Sequence, residues 1–141
     1  MKKLIEGLKH FQNHVLWERR EQYERSAQSQ KPQAFLITCS DSHVLPDIFM
    51  QADPGNLFVS RNAVNLVHPC DGPTGEMATI EYAVSALGVT DIIVCGHYRC
   101  GAVRAILHPE EAVNLSKTNE WLAGAAETSE TIRREHPGIE G

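Results

Sequence analysis

No window of this sequence approaches the roughly 18 apolar residues of a membrane span. Met1-Lys2-Lys3 carries the charge that opens a leader, but Glu6, Gly7, Lys9 and His10 interrupt the apolar stretch that should follow. The chain is therefore expected to be cytoplasmic, with no membrane as partner. It also lacks any long basic run, and its formal charge of -5 argues against nucleic acid or anionic lipid as the main partner. Cysteine is scarce. Four thiols without a dense, regular spacing do not make a disulfide framework, and in a reducing compartment metal or catalytic use is favoured. Internal repeats and low-complexity segments are missing too.

What is present fits one ordinary domain: 141 residues, 42% apolar and 22% charged. Leu4, Ile5, Leu8, Phe11, Val15 and Leu16 recur at helical spacing. They predict an amphipathic helix from about Lys3 to Arg25, broken near Asn13, whose apolar face needs its own sheet or a partner subunit. Residues 1–33 thus read as a helical arm and linker, and 34–141 as the α/β domain that carries the chemistry. Ala34 to Thr38, Leu57 to Ser60 and Asp91 to Cys95 read as strands, the first and third as buried ones. Short helices are expected at Leu45 to Gln51, Glu76 to Leu87 and Gly101 to Leu107, and a longer one from Lys117 to Glu135. Strands alternating with helices mean an α/β fold around a mostly parallel sheet. Three strands are few for that architecture, so one apolar strand is expected at an edge or paired with a second subunit.

Two stretches follow directly on strands: Cys39-Ser40-Asp41-Ser42-His43 and Gly96-His97-Tyr98-Arg99-Cys100-Gly101. Parallel strands would bring both to one edge of the sheet. His97 and Cys100, three positions apart, can face one point on a turn that opens into a helix. Cys39 supplies a third ligand. Thiolate and imidazole suit Zn²⁺, and three protein ligands leave one position for water or for Asp41. The other two thiols read differently, Cys95 as a small core residue and Cys70 as a loop thiol.

These two stretches resemble the zinc motifs of the β-class carbonic anhydrases. The similarity extends to Asp53-Pro54-Gly55, to Phe58-Val59-Ser60-Arg61-Asn62-Ala63-Val64-Asn65 and to Thr79-Ile80-Glu81-Tyr82-Ala83-Val84. The resemblance implies Cys39, His97 and Cys100 as zinc ligands. It makes Asp41 the residue that orients zinc-bound hydroxide or ligates the metal as a fourth ligand in an inactive state. Gln30, Phe58, Tyr82 and Gly101 fall where the family lines its substrate site. CO₂ and bicarbonate are the implied partners, in a homo-oligomer with pockets at subunit interfaces.

Three departures from the family pattern set further expectations. His43 stands where the family has arginine beside the aspartate, so Asp41 has a partner that makes a single contact and is neutral much of the time. Val64 stands where glycine is common; if that position needs φ > 0, a β-branched residue is strained there. The family's chain also runs past the region of Gly141 with a further strand or two, so the C-terminal strands are expected to be missing from this short or truncated member. Carbonic anhydrase activity is the leading expectation. The alternatives are a weak or inactive zinc-binding homologue with a structural role, or a hydrolase of a CO₂ relative such as COS or CS₂.

Overall fold

The structure is a computed structural model that describes residues 1–69 and 72–138; Cys70, expected as a loop thiol, lies outside the described residues. The chain opens with α1 (Lys2–His10), which passes into a π-helical turn at Phe11–Val15 and a last helical stretch at Leu16–Glu18. The expected break near Asn13 is thus a change of helical pitch. The helical path is lost only at Arg19, with φ -111° and ψ 17°, before α2 (Arg20–Gln28) resumes it. No residue of α1 is buried. Its apolar face, with Leu4, Ile5 and Leu8, does not pack on the chain's own sheet.

Three strands form one parallel sheet in the order β2-β1-β3: β1 (Ala34–Cys39), β2 (Leu57–Asn62) and β3 (Ile92–Cys95). Every residue of β1 is buried, as its continuous apolar run predicts for a central strand covered on both faces. Its one hydroxyl is satisfied, because Thr38 Oγ1 donates to the Cys95 carbonyl at 3.0 Å. The register pairs Cys39 with Asn62 and Thr38 with Cys95, so the three strands end level. The loops that follow all leave the sheet at one edge, the usual place for a site in such folds.

β3 departs from expectation. Ile92 and Val94 are 47% and 60% exposed, while Ile93 and Cys95 are half-buried. A short apolar run predicts a strand but cannot tell a covered strand from an edge strand whose outer face meets nothing in the same chain. Cys95 is correspondingly a half-buried edge residue rather than a core one.

Two apolar clusters pack along β1. Phe35, Ile37, Ala83 and Val89 form one, with Phe58, Val67, Ile80 and Leu87 packed against it. The covering helix, α4 (Gly75–Glu81), starts at Thr74, whose hydroxyl accepts the Met77 N–H at 3.2 Å. It continues as a π-helical turn, Tyr82–Ala86, and stops at Gly88, whose φ of +69° is the left-handed turn a helix C-terminus favours. The other cluster holds Cys39, Val44, Val64, Cys100 and Leu122. α5 (Gly101–Leu107) and α6 (Ser116–Leu122) pack around it, and α7 (Ala126–Glu135) lies against α5; the short α3 is Pro46–Phe49. The helix expected from Lys117 to Glu135 is thus two helices joined by a 3₁₀ turn, Ala123–Ala125. Gly124 in that turn lies against the His68 ring, where a Cβ would have no room. Trp121 packs against the same ring at a tilt of 59°, with centroids 4.2 Å apart, and donates Nε1–H to the Ala63 carbonyl at 2.9 Å. Among the described residues no helix is long and apolar enough to cross a membrane.

Candidate metal centre

Cys39 is the last residue of β1, and Cys100 immediately precedes α5. Their Sγ atoms lie 3.8 Å apart, both side chains buried. His97 joins them: one ligand-type atom from each of Cys39, His97 and Cys100 falls within 4.8 Å of the others. The turn that brings His97 and Cys100 together places Arg99 at φ +54°. This is the convergence that strand-end reasoning predicts.

The electrostatics of the two thiols differ. Burial pushes Cys39 up, but the N–H groups of Asp41 and Val64 lead the effects that outweigh it and hold this thiol below its usual range. Burial pushes Cys100 up, its neighbour Cys39 adds to that, and the N–H groups of Val103 and Ala102 only partly offset both. Nε2 of His97 is buried with no hydrogen-bond partner in the structure. A buried imidazole nitrogen without a partner is costly unless something accepts its lone pair. Two sulfurs and such a nitrogen form a donor set that suits Zn²⁺, so the residues present fit the metal.

Asp41 and His43 stand beside this group. Asp41 Oδ1 accepts from the His43 backbone N–H at 3.2 Å and pairs with His43 Nδ1 at 2.7 Å. That backbone bond above all, with the neighbouring His43 ring adding to it, holds the Asp41 carboxyl below the usual carboxylate range. On its other side His43 Nε2 meets His97 Nδ1 at 3.1 Å, and His97 Nδ1 also meets the Tyr98 carbonyl at 3.1 Å. Asp41, His43 and His97 offer a second set of closely spaced ligand-type atoms. The contact between the two imidazoles is a feature that sequence reasoning missed. His43 is visible in the sequence as a neighbour of Asp41, but nothing in the spacing puts it against His97.

Arg61 was also overlooked as an individual residue. From β2 its Nε donates to the Cys39 carbonyl at 3.0 Å and its second guanidinium nitrogen to the Asp41 carbonyl at 2.7 Å. One planar group thereby holds the loop carrying two site residues. Asn62 similarly binds the loop after β2, exchanging two 2.8 Å hydrogen bonds with the Leu66 backbone. Inside that loop Val64 sits at φ 72°, ψ 10° and is buried, so the expected strain at this position is present.

Of the remaining predicted residues, Gly101 adjoins the thiols, but Gln30, Phe58 and Tyr82 do not gather there. Gln30 is exposed in the linker after α2. Phe58 packs between Phe35 and Tyr82, with ring centroids at 5.7 and 6.0 Å, in the cluster that does not contain Cys39 and Cys100. Tyr82 is 53% exposed. Gly101 opens α5 directly after Cys100, and an added Cβ would meet nothing within 4 Å, so space alone does not call for glycine there.

A family model described as carbonic anhydrase matches residues 34–140. The chain is 47% identical to a carbonic anhydrase of Pseudomonas aeruginosa over 124 residues, 86% of this chain and 56% of that protein. It is 39% identical to a carbonic anhydrase of Synechococcus elongatus over 142 residues, 99% of this chain and 52% of that protein. The solved β-carbonic anhydrase CcaA superposes with a TM-score of 0.92 at 36% identity, covering all of this chain and 64% of that one. The chain spans about half the length of these curated relatives.

Proposed function

This chain belongs to the β-class carbonic anhydrases, and from that premise we propose that it is a zinc-dependent enzyme for the reversible hydration of CO₂ to bicarbonate and a proton. The observation that carries the reading is the meeting of two buried sulfurs with a buried His97 Nε2 that has no other partner. Cys39 and Cys100 would hold the ion as thiolates and His97 through Nε2. Bound there, zinc supplies a Lewis acid that brings the ionisation of water close to neutral pH.

The chain's own residues supply the rest. Asp41 directs both of its contacts with His43 through Oδ1, which leaves Oδ2 to accept a hydrogen bond from the attacking water and orient it. Its carboxyl is held in the ionised, acceptor-only form at neutral pH. His43 keeps Asp41 turned toward itself and so opposes its approach to the metal as a fourth ligand. Arg61 fixes the backbone of the same loop. CO₂ is small and apolar, and Phe58 and Tyr82 with the Gln30 amide suit it. Since these three do not reach the thiols within one chain, we assign them to a pocket completed by a second copy. Gly101 is the backbone position next to the last ligand in that pocket. The exposed faces of α1 and β3 support association.

The test is metal content together with stopped-flow CO₂ hydration. One zinc per chain, and hydration abolished by Cys39→Ser or His97→Ala, is the expected result; zinc-loaded protein with only background hydration refutes catalysis. A second reading, a zinc-binding homologue of weak or no activity, is favoured by one observation. The Asp41 side chain is held by a single imidazole nitrogen and a backbone N–H, without a bidentate guanidinium. Substituting His43→Arg separates the two readings, because strong recovery of hydration would mean an otherwise intact pocket.

A further inference from the structure

The hydrogen-bonded row Asp41–His43–His97 carries an inference that rests on the zinc reading and goes beyond it. We infer that His43 is a positioning residue for the metal centre, fixing the tautomer and orientation of His97 and tying that ligand to the Asp41 carboxylate.

The roles along the row follow from its two ends, both of which can only accept. Asp41 is a carboxylate, so the ring nitrogen 2.7 Å from it, His43 Nδ1, carries the hydrogen. At the other end the Tyr98 carbonyl lies 3.1 Å from His97 Nδ1, so that nitrogen is a donor too. Between them His43 Nε2 and His97 Nδ1 are 3.1 Å apart, and the donor on His97 leaves His43 Nε2 as the acceptor. With its hydrogen on Nδ1, His43 meets both demands at once, giving on one side and taking on the other. With its hydrogen on Nδ1, His97 has its lone pair on Nε2, the buried atom with no partner. The imidazole planes cross at 73°, so rotation of the His97 ring would break the contact with His43.

Arginine at position 43 could serve Asp41, but it offers donors only and could not accept from His97. Glutamine carries a donor and an acceptor on one planar group. The three substitutions His43→Gln, His43→Arg and His43→Ala therefore separate the link to His97 from the pairing with Asp41. Partners of this kind are typically worth about 10–100-fold in metal affinity. The Tyr98 carbonyl remains when His43 is lost, so the effect belongs near the lower end, about tenfold.

The experiment is competition for zinc between the full chain and a chromogenic chelator, for wild type and the three variants. Arginine and alanine should each weaken zinc binding about tenfold, and glutamine should restore most of it. Equal affinity in all four proteins overturns the inference and leaves the zinc reading standing; a wild type that binds no zinc removes both. A measurement on wild type alone is independent of how variants fold. In the zinc-loaded protein, ¹⁵N shifts of His43 should report the neutral tautomer with hydrogen on Nδ1. The opposite tautomer, or a doubly protonated ring, overturns the proposal.

Discussion

Replacing Val64 by alanine and by glycine tests the backbone around the candidate centre quantitatively. Val64 is held at φ 72°, ψ 10° while its side chain, 8% exposed, packs with Cys39, Val44, Cys100 and Leu122. Two effects oppose each other there. A residue with a Cβ in the left-handed region costs about 1–2 kcal/mol, which glycine avoids. The buried methyl groups contribute about 0.8 kcal/mol each. Alanine gives up two of them, about 1.6 kcal/mol, while retaining the cost of its Cβ. Glycine gives up its Cβ as well and adds about 0.5–1 kcal/mol of chain freedom in the unfolded state. These two losses are close to the conformational relief, so the usual penalty of glycine relative to alanine should vanish or reverse. Both variants should be less stable than wild type, and the glycine form at least as stable as the alanine form. Urea unfolding followed by tryptophan fluorescence measures this, because Trp121 is bonded to the carbonyl of Ala63 next door. A glycine variant about 1 kcal/mol or more below the alanine variant would show that position 64 does not sit at positive φ.

Three further outcomes follow from other parts of the molecule. Gly124→Ala places a methyl group on the His68 ring and should cost about 1–3 kcal/mol by overpacking; an unchanged thermal midpoint would show that the turn at Ala123–Ala125 yields freely. Trp121→Phe removes the hydrogen bond to Ala63 and should cost about 1 kcal/mol, read by the same urea titration with circular dichroism. Glu111 is held below its usual range by the two hydrogen bonds and charge of Arg104, at 2.6 and 2.7 Å. A depressed carboxyl contributes stability that is present above its unfolded pKa and lost as pH falls through the folded one. Arg104→Gln should therefore be slightly less stable than wild type at neutral pH, with the gap closing as pH falls through and below the usual carboxylate range. A gap that persists in acid contradicts this account.

The positions of the candidate ligands were legible because each follows an apolar run, and parallel strands must release their loops at one edge. Cys39 at the end of β1, and His97 and Cys100 beyond β3, needed no more than that. The left-handed backbone at Val64 was legible too, through glycine's usual place in the motif. The meeting of His43 with His97 was not, since it depends on two loop conformations, one of them the positive φ at Arg99, that no periodicity encodes. Nor was the clamp made by Arg61, because a guanidinium bound to carbonyls two residues apart leaves no mark in spacing. An apolar strand left at an edge was expected, but that β3 would be the exposed one was not, for a different reason. Apolar side chains report that a surface is to be covered, not whether the cover belongs to the same chain.

Cys39 and Cys100 are 61 positions apart, and the intervening chain includes β2, β3, α3 and α4. In a chain-entropy treatment, tying two such points together removes about 4 kcal/mol of freedom from an unfolded chain. The level ends of the sheet meet that requirement before any ion arrives. An ion bridging the two sulfurs would then act as a reversible staple, favouring the folded chain over the unfolded one. The denaturation midpoint should climb with free zinc, and a chelator should reset it without cutting a bond.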